Sequence, residues 1–182
     1  MAVTQSISVA LGSEMPDFEL EDSRGKSYTG RELYGKKGLL VVFTCNHCPY
    51  AKAIWSRLIR LAEHAKGLGI PTVAINPNTH PDYPEDAPDR MEENTRELGI
   101  DFPYLVDKTQ GTAKDFKAQC TPDLYLFDAS RKLVYHGRLD DCWQRESSVK
   151  RQELREAVED LAAGRPVHDE QCPSLGCSIK WR

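Results

Sequence analysis

The clearest hydrophobic pattern in the chain is an unbroken apolar run at residues 39–43, which leads into two cysteines, Cys45 and Cys48. A short continuous apolar run is typical of a strand that is buried on both faces of a sheet. Apolar residues then recur at three- and four-residue steps over residues 51–68, which predicts a helix that ends within 67–69. The two cysteines therefore lie where a buried strand ends and a helix begins.

The pattern that follows this helix predicts a second strand at residues 70–75. A strand, a helix and a strand in succession form a βαβ unit, whose strands pair in parallel. Residues 76–88 contain four prolines and no periodicity, which predicts a long loop. Loops of this kind, at the strand ends of an open α/β sheet, often line the binding crevice.

Shorter patterns predict the rest of one domain that spans residues 1–182. Residues 1–13 are expected to be a flexible lead-in or an edge strand, and residues 165–182 a tail without periodicity. Between them we expect a hairpin formed by residues 15–20 and the turn at 22–26, a helical turn at 31–35, a surface helix at 89–98, a strand at 102–106, a short helix at 110–117, an antiparallel hairpin of residues 124–127 and 133–137, and a final helix at 147–163.

Composition narrows the class of protein. The 182 residues are 40% hydrophobic and 29% charged, which is typical of a globular domain. The net charge of −4 argues against a nucleic acid or an anionic membrane as partner, since either calls for a basic surface. The chain has no apolar run of about 20 residues for a membrane helix, and its first residues do not resemble a signal peptide. We therefore expect a cytoplasmic protein.

In such a protein, cysteines are expected to serve catalysis or metal binding rather than a disulfide framework. The six cysteines are Cys45, Cys48, Cys120, Cys142, Cys172 and Cys177.

The spacing of Cys45 and Cys48 predicts a redox-active dithiol. The free N–H groups of a helix N-terminus stabilise a thiolate. We expect Cys45, at the exposed strand end, to attack a substrate disulfide, and Cys48, one helical turn further and more buried, to resolve the mixed disulfide. His47 lies between them, where a protonated imidazole would stabilise the thiolate and make the couple more oxidising than thioredoxin, whose potential is about −270 mV.

Several motifs resemble those of the thioredoxin-like superfamily, and in particular of its redoxin or peroxiredoxin-like (AhpC/TSA-type) branch. They are the C-x-x-C-P sequence within residues 44–51, Pro16 to Leu20, Tyr83 to Asp86, Thr121-Pro122 before the hairpin, residues 137–141 and residues 176–181. The resemblance implies an α/β fold with a central mixed sheet flanked by helices, an N-terminal hairpin extension and a C-terminal tail. It also implies that Pro122 is a cis-proline facing the dithiol, and that Thr121 offers backbone groups to an extended substrate.

The alternative within this superfamily is a peroxiredoxin-like thiol peroxidase. Peroxiredoxins carry the pattern P-x-x-x-[ST]-x-x-C, with the hydroxyl residue three positions before the reactive cysteine. Here Thr44 lies four residues before Cys48 and directly before Cys45, and position 40 is leucine instead of proline. Arg138 could stabilise a thiolate, although an arginine in a hairpin is more often a surface residue.

A third alternative is a non-enzymatic module that binds a metal or senses redox state. Cys172 and Cys177 could pass electrons to the dithiol, form a stapling disulfide, or join Cys45, Cys48 and His47 as ligands of zinc or copper(I). Packing of Cys177 in the tail is the favoured interpretation.

The other candidates are weaker. Cys120 precedes Thr121 and could lie near the site, although a small buried hydrophobic role is as consistent. Cys142 and His136 are interpreted as structural. We predict no cofactor, no resident metal, and as partners protein or small-molecule disulfides or peroxides together with a thiol reductant.

Overall fold

The structure, a computed structural model, describes residues 3–168 and 170–182, and the apolar run at 39–43 forms the central strand of its main sheet. The strands of the described residues are β1 (Val3–Gln5), β2 (Glu19–Asp22), β3 (Ser27–Thr29), β4 (Gly38–Phe43), β5 (Thr72–Asn76), β6 (Tyr104–Val106), β7 (Cys120–Thr121), β8 (Asp123–Asp128), β9 (Leu133–Gly137) and β10 (Leu175–Ser178). The helices are α1 (Pro49–Gly67), α2 (Pro88–Leu98), α3 (Gly111–Asp115) and α4 (Glu153–Ala162), with short 3₁₀ turns at Pro84–Asp86 and Glu146–Ser148.

The main sheet is mixed and has the strand order β3-β2-β6-β5-β4-β8-β9. Strand β4 pairs in parallel with β5 and antiparallel with β8, so the predicted βαβ unit and the predicted β8–β9 hairpin are both confirmed. The N-terminal hairpin also forms, as β2 and β3, but it begins at Glu19 and not at residue 15. Among the helices of residues 3–168 and 170–182, none is long and apolar enough to cross a membrane.

Strand β4 separates two apolar layers because its side chains point alternately to opposite faces. Leu40 and Val42 pack in the layer that contains α1 and α4. Leu39, Val41 and Phe43 pack in the opposite layer, against aromatic residues that include Phe116. Burial on both faces explains why this strand is continuously apolar. Helix α1 begins at Pro49, at a position where the missing N–H of proline costs little.

The two chain ends form a second, three-stranded sheet of order β1-β10-β7 that the sequence did not predict. Val3 pairs with Cys177, and Cys177 pairs in turn with Thr121. The tail at 165–182 is therefore structured where it was expected to lack periodic elements. Of the proposed lead-in, residues 3–5 are an edge strand and not a flexible segment, whereas residues 1 and 2 lie outside the described part.

The final helix is shorter than predicted because the chain before it is held against another loop. The backbone N–H of Asp141 donates to the carbonyl of Arg151, and that of Lys150 donates to the side chain of Asp141. Since these bonds keep the backbone extended up to Gln152, α4 begins at Glu153 and not at 147.

Candidate active site

The two cysteines lie at the junction that the sequence predicted, with Cys45 two residues beyond β4 and Cys48 as the N-cap residue of α1. Both have 0% of their surface exposed. The expectation that Cys45 is exposed and Cys48 more buried is therefore wrong for this structure. A disulfide substrate can reach either sulfur only after a neighbouring segment moves.

Thr121 contacts both sulfurs. The Cys45 Sγ lies 3.1 Å from the Thr121 hydroxyl oxygen, and the Cys48 Sγ lies 3.1 Å from the Thr121 carbonyl oxygen, to which it donates when protonated. The peptide bond between Thr121 and Pro122 is cis, as the family resemblance implied. Strand β10 pairs with Thr121, so the backbone position that we expected to bind an extended substrate is taken by the chain's own tail.

The two thiols of the pair titrate in opposite directions. A hydrogen bond from Cys45, followed by others from Cys177 and from the backbone N–H of Ala51, lowers the pKa of Cys48 to about 5 against the opposing effect of burial. Burial raises the pKa of Cys45 well above its usual value, and the nearby charge of Asp86 adds to this. In the reduced protein, the thiolate therefore lies on Cys48, with Cys45 as its hydrogen-bond donor.

Asp86 is a site residue that the sequence reasoning missed. Its carboxylate binds Nδ1 of His47 through one oxygen and accepts the backbone N–H of Asn46 at 2.6 Å through the other. Asp86 is only 1% exposed, and the side chain of Asn76 also donates to it. Asp86 lies within the motif at 83–86, which was noted only for its family resemblance; its position two residues before a proline gave no signal of this contact.

A second network fixes Asn46, the residue between Cys45 and His47. Its side-chain oxygen accepts hydrogen bonds from the hydroxyl of Tyr104 and the amide of Asn94, each at 3.1 Å. Its side-chain nitrogen donates to the carbonyl of Glu85 at 2.9 Å. These bonds connect the C-x-x-C turn to β6, to α2 and to the loop at 76–88, and so they hold that loop over the dithiol.

The proline-rich loop covers the site, as expected for a crevice-lining segment, and the tail holds it there. The ring of Tyr83 packs on His47 with 4.5 Å between the ring centroids. The ammonium of Lys180, in the tail, lies 5.5 Å from the centroid of the same Tyr83 ring. The backbone of Lys180 also bonds to Asn78, and Gln110 bridges the carbonyls of Pro77 and Lys180. Loop and tail are therefore positioned together.

Among the described residues, Cys45, His47 and Asp86 are the group that could hold a metal ion, since their donor atoms lie within 4.8 Å of one another. A sulfur, an imidazole nitrogen and a carboxylate oxygen are ligands that zinc accepts. A thiol beside an imidazole that is oriented by a carboxylate is also an arrangement that suits acid–base catalysis by a thiol enzyme. The same three residues could therefore serve metal binding or thiol chemistry.

Other predicted site residues lie elsewhere or serve packing. Arg138 forms an ion pair with Glu153 and therefore does not act as the arginine that would stabilise a thiolate of the dithiol. Cys120 is buried in β7 and donates to the carbonyl of Pro122, which fits its hydrophobic interpretation. Thr44 is also buried, and its backbone N–H bonds to Ile75. Cys172 is half-buried, and its carbonyl accepts the backbone N–H of Arg138.

The two residues interpreted as structural have structural contacts. His136 is buried, stacks on Tyr125 and lies 2.8 Å from a carboxylate oxygen of Asp123. The carbonyl of Cys142 accepts a hydrogen bond from Arg57.

A cavity of about 450 Å³ adjoins the cis-proline. Pro122, Ile54, Leu124 and Trp143 form apolar walls, and Cys172 lies on its tail side. Neither sulfur of the dithiol lines this cavity, so it offers a place to bind part of a substrate beside the reacting groups but not an open path to them.

The chain is similar in sequence or fold to several known proteins. The thiol-disulfide oxidoreductase ResA of Bacillus subtilis is 24% identical over 127 residues, which are 70% of this chain and 66% of ResA. An uncharacterized conserved protein from Geobacillus kaustophilus has a structure with a TM-score of 0.94 and 40% identity, covering 100% of this chain and 97% of its own. The thioredoxin domain of a thiol-disulfide oxidoreductase from Bacteroides vulgatus shares the fold at a TM-score of 0.59 and 17% identity, covering 71% of this chain and 89% of its own.

The match to ResA leaves about a third of that protein outside the aligned part. The family model for AhpC/TSA proteins matches residues 11–136, well over half of the chain. This chain, with its thioredoxin-like fold, therefore belongs to the AhpC/TSA family.

Proposed function

We propose that the protein is a thiol–disulfide oxidoreductase that uses Cys45 and Cys48 as its dithiol. The observation that carries the proposal is the pair of sulfurs held against Thr121, next to the cis bond of Pro122, with the pKa of one thiol lowered to about 5. A thiolate at neutral pH is the form that attacks a disulfide. Similarity to the oxidoreductase ResA supports the same assignment.

The exchange proceeds through a mixed disulfide. We assign the attack to Cys45, which passes its proton to the Cys48 thiolate as its own sulfur attacks the substrate disulfide. A bond forms between Cys45 and one substrate sulfur, and the other substrate sulfur leaves as a thiolate. Cys48 then attacks Cys45, which releases the second substrate thiol and leaves the enzyme oxidised. Cys48 is assigned as the resolving thiol because, as the N-cap residue of α1, it follows Cys45 by three residues and lies beside it.

His47 is proposed as the proton donor to the leaving sulfur. Asp86 holds Nδ1, while Nε2 is buried and has no hydrogen-bond partner among the residues of the described ranges. A buried polar nitrogen without a partner is costly, and a reacting sulfur at that position would satisfy it. The orientation by Asp86 fixes which nitrogen is offered.

The substrate and donor are proposed as classes. A protein or small-molecule disulfide is the substrate, and a separate thiol reductant restores the dithiol. We also propose a cytoplasmic location. Fractionation of cells that express the protein tests that location.

The test uses the reduced protein, Cys45→Ser and Cys48→Ser with a synthetic peptide that contains one disulfide. Wild type should release both peptide thiols. Cys48→Ser should accumulate an adduct of one peptide half at Cys45, visible by intact mass, and Cys45→Ser should reduce the peptide much more slowly than wild type. Cys142→Ser, whose contact is through its backbone carbonyl, is the matched control. Unchanged turnover in Cys45→Ser would contradict the proposal.

Two further arms separate the alternatives. Peroxide consumption by wild type that exceeds its disulfide reduction would favour a thiol peroxidase. One equivalent of zinc in the protein as purified, lost in His47→Gln and Asp86→Asn, together with no disulfide turnover, would favour the metal-binding module.

A further inference from the structure

The third thiol of the site comes from the tail. Cys177 is 1% exposed and packs in one cluster with Cys45, Cys48 and Ala51. Its position is fixed by β10, in which Cys177 pairs with Thr121 on one side and with Val3 on the other. The close approach of this strand depends on Gly176, because a Cβ atom at that position would lie 2.1 Å from the carbonyl oxygen of Thr121.

The side chain of Cys177 packs beside Cys48. This proximity is one of the influences that lower the pKa of Cys48. The remaining buried cysteine of this region, Cys120, donates instead to the carbonyl of Pro122 at 3.6 Å. Cys48 thus shares one cluster with two other thiols, those of Cys45 and Cys177, and either can become its disulfide partner.

Strand β10 lies where a substrate was expected to bind. The strand occupies the backbone position beside Thr121 where a disulfide-bearing substrate was expected to bind in extended form. Cys177 therefore presents its sulfur to the dithiol much as a bound substrate would.

We propose that Cys177 is a third redox-active cysteine, which exchanges with the Cys45–Cys48 disulfide to form a disulfide with Cys48. This inference rests on the proposed function, because that function supplies the oxidised dithiol. The site then holds one disulfide, a two-electron oxidant, in either of two internal positions.

The step is an isomerisation in which atoms and electrons balance. The sulfur of Cys177 loses its proton and attacks the sulfur of Cys48. The bond between Cys45 and Cys48 breaks as the bond between Cys48 and Cys177 forms, and the proton passes to the released sulfur of Cys45. No external oxidant or reductant takes part, because one disulfide and one thiol are present before and after. The result frees Cys45 and moves the disulfide toward the tail, where a reductant that displaces β10 would meet it.

Burial opposes the ionisation of Cys177. It raises the pKa of this thiol to about 12, so attack on Cys48 must accompany proton transfer and be slow at neutral pH. The internal exchange is therefore expected to follow the reduction of substrate as a separate, slower phase.

The experiment maps disulfides in protein that has been oxidised with glutathione disulfide, quenched in acid and alkylated. In Cys45→Ser, the first pair cannot form, and glutathione should oxidise Cys48 and Cys177 to an internal disulfide, so that the five remaining thiols fall to three. Cys45→Ser/Cys177→Ser should stop at a glutathione adduct on Cys48. Cys45→Ser/Cys142→Ser is the matched control and should still form the internal disulfide.

A stable glutathione adduct on Cys48 in Cys45→Ser, with Cys177 still alkylated, would overturn the inference. Wild type gives a second test that depends on no variant: a Cys48–Cys177 peptide should appear after the Cys45–Cys48 peptide, and its absence at all times would count equally against the exchange. If wild type reduces disulfides while no link to Cys177 forms, the inference alone fails. If wild type forms no Cys45–Cys48 disulfide and has no turnover, the proposed function fails as well.

Discussion

The carboxylate of Asp86 binds the imidazole of His47 across 39 residues of sequence, and both side chains are buried beside the dithiol. One oxygen of Asp86 orients the ring and the other fixes the backbone of Asn46. A single acidic residue of the covering loop thus positions both residues between the two cysteines, and its role can be separated from theirs by substitution.

We expect His47→Gln to lower the rate of disulfide reduction by about 10²-fold, because general acid catalysis typically contributes at least that much. Asp86→Asn should give a smaller loss and change the pH dependence of the rate, since the ring remains but its orientation is weakened. His80→Gln is the control, because His80 lies in the same loop and has its contact with Asp82. Equal rates in all three variants would contradict the assignment of His47 as proton donor.

The thiolate on Cys48 should be visible as an absorbance step near pH 5 when the reduced protein is titrated at 240 nm. The step should vanish in Cys48→Ser. It should move to higher pH in Cys45→Ala and in Cys177→Ala, because each loses a hydrogen-bond donor that lowers the pKa of Cys48. A first step in wild type near the ordinary thiol value of about 8.5 would contradict this.

The same titration affects stability. Because the pKa of Cys48 is lower in the folded chain, ionisation stabilises the fold fully above about pH 8.5, and this contribution is lost as the pH falls toward 5. Cys177 acts in the opposite sense: its pKa is raised to about 12, so its contribution is present below about pH 8.5 and lost as the pH rises toward 12. Urea unfolding under reducing conditions, compared with each serine variant across this range, measures the two terms.

The redox potential of the Cys45/Cys48 couple should lie above about −270 mV, the thioredoxin value, because stabilising the thiolate stabilises the reduced form. Cys177→Ala should shift the potential to a more negative value, since it removes a donor to Cys48. Equilibration with glutathione buffers, followed by mass analysis, measures both. A wild-type value at or below that of thioredoxin would show that the lowered pKa does not govern the couple.

The fit of the tail against β7 should depend on Gly176. We expect Gly176→Ala to destabilise the protein by about 1–3 kcal/mol through overpacking against the backbone of Thr121, and to increase proteolysis of the tail. Gly67→Ala is the matched control: nothing lies within 4 Å of a Cβ there, and alanine in a helix is favoured over glycine. Equal stability of the two variants would mean that the tail has room to shift.

Breaking the buried ion pair of Arg57 and Asp140 should destabilise the protein more than the substitution of Gly176. The two side chains are 2.6 Å apart, and Arg57 also bonds the carbonyls of Cys142 and Trp143, which fixes the loop beside the cavity to α1. Removing one partner leaves a buried charge, so Asp140→Ala should cost about 3–5 kcal/mol in denaturant unfolding. Arg57→Met/Asp140→Leu should recover most of this loss, and no recovery would mean that hydrogen bonds dominate the pair.

The strand–helix–strand unit and the hairpin of β8 and β9 could be predicted because their signals are local. The run at 39–43 is apolar since both faces are covered, and the spacing along α1 follows from one buried face. The dithiol and the cis-proline could be predicted for the same reason, because their motifs are contiguous in sequence. These features need only a few neighbouring residues to be recognised.

The features that sequence reasoning missed depend on contacts between distant residues. Asp86 lies in a loop without periodicity, and only the folded chain brings it to His47. Strand β10 is four residues long and includes a glycine, so its pattern resembles a tail, and its pairing with Thr121 forms across more than fifty residues. Burial of Cys45 could not be predicted either, because the loop that covers it is held by Asn46 and Lys180 and not by an apolar pattern.

Strand β1 has a practical consequence for handling the molecule. Val3 pairs directly with Cys177, so any fluorophore, purification tag or fusion partner joined just ahead of residue 3 would project from the same small sheet that carries the third thiol. A bulky attachment there would strain the strand that pairs with the outer side of the tail, and so disturb the position of Cys177. Reporter groups intended to leave the chemistry undisturbed belong on the far edge of the main sheet, at the turn between β2 and β3.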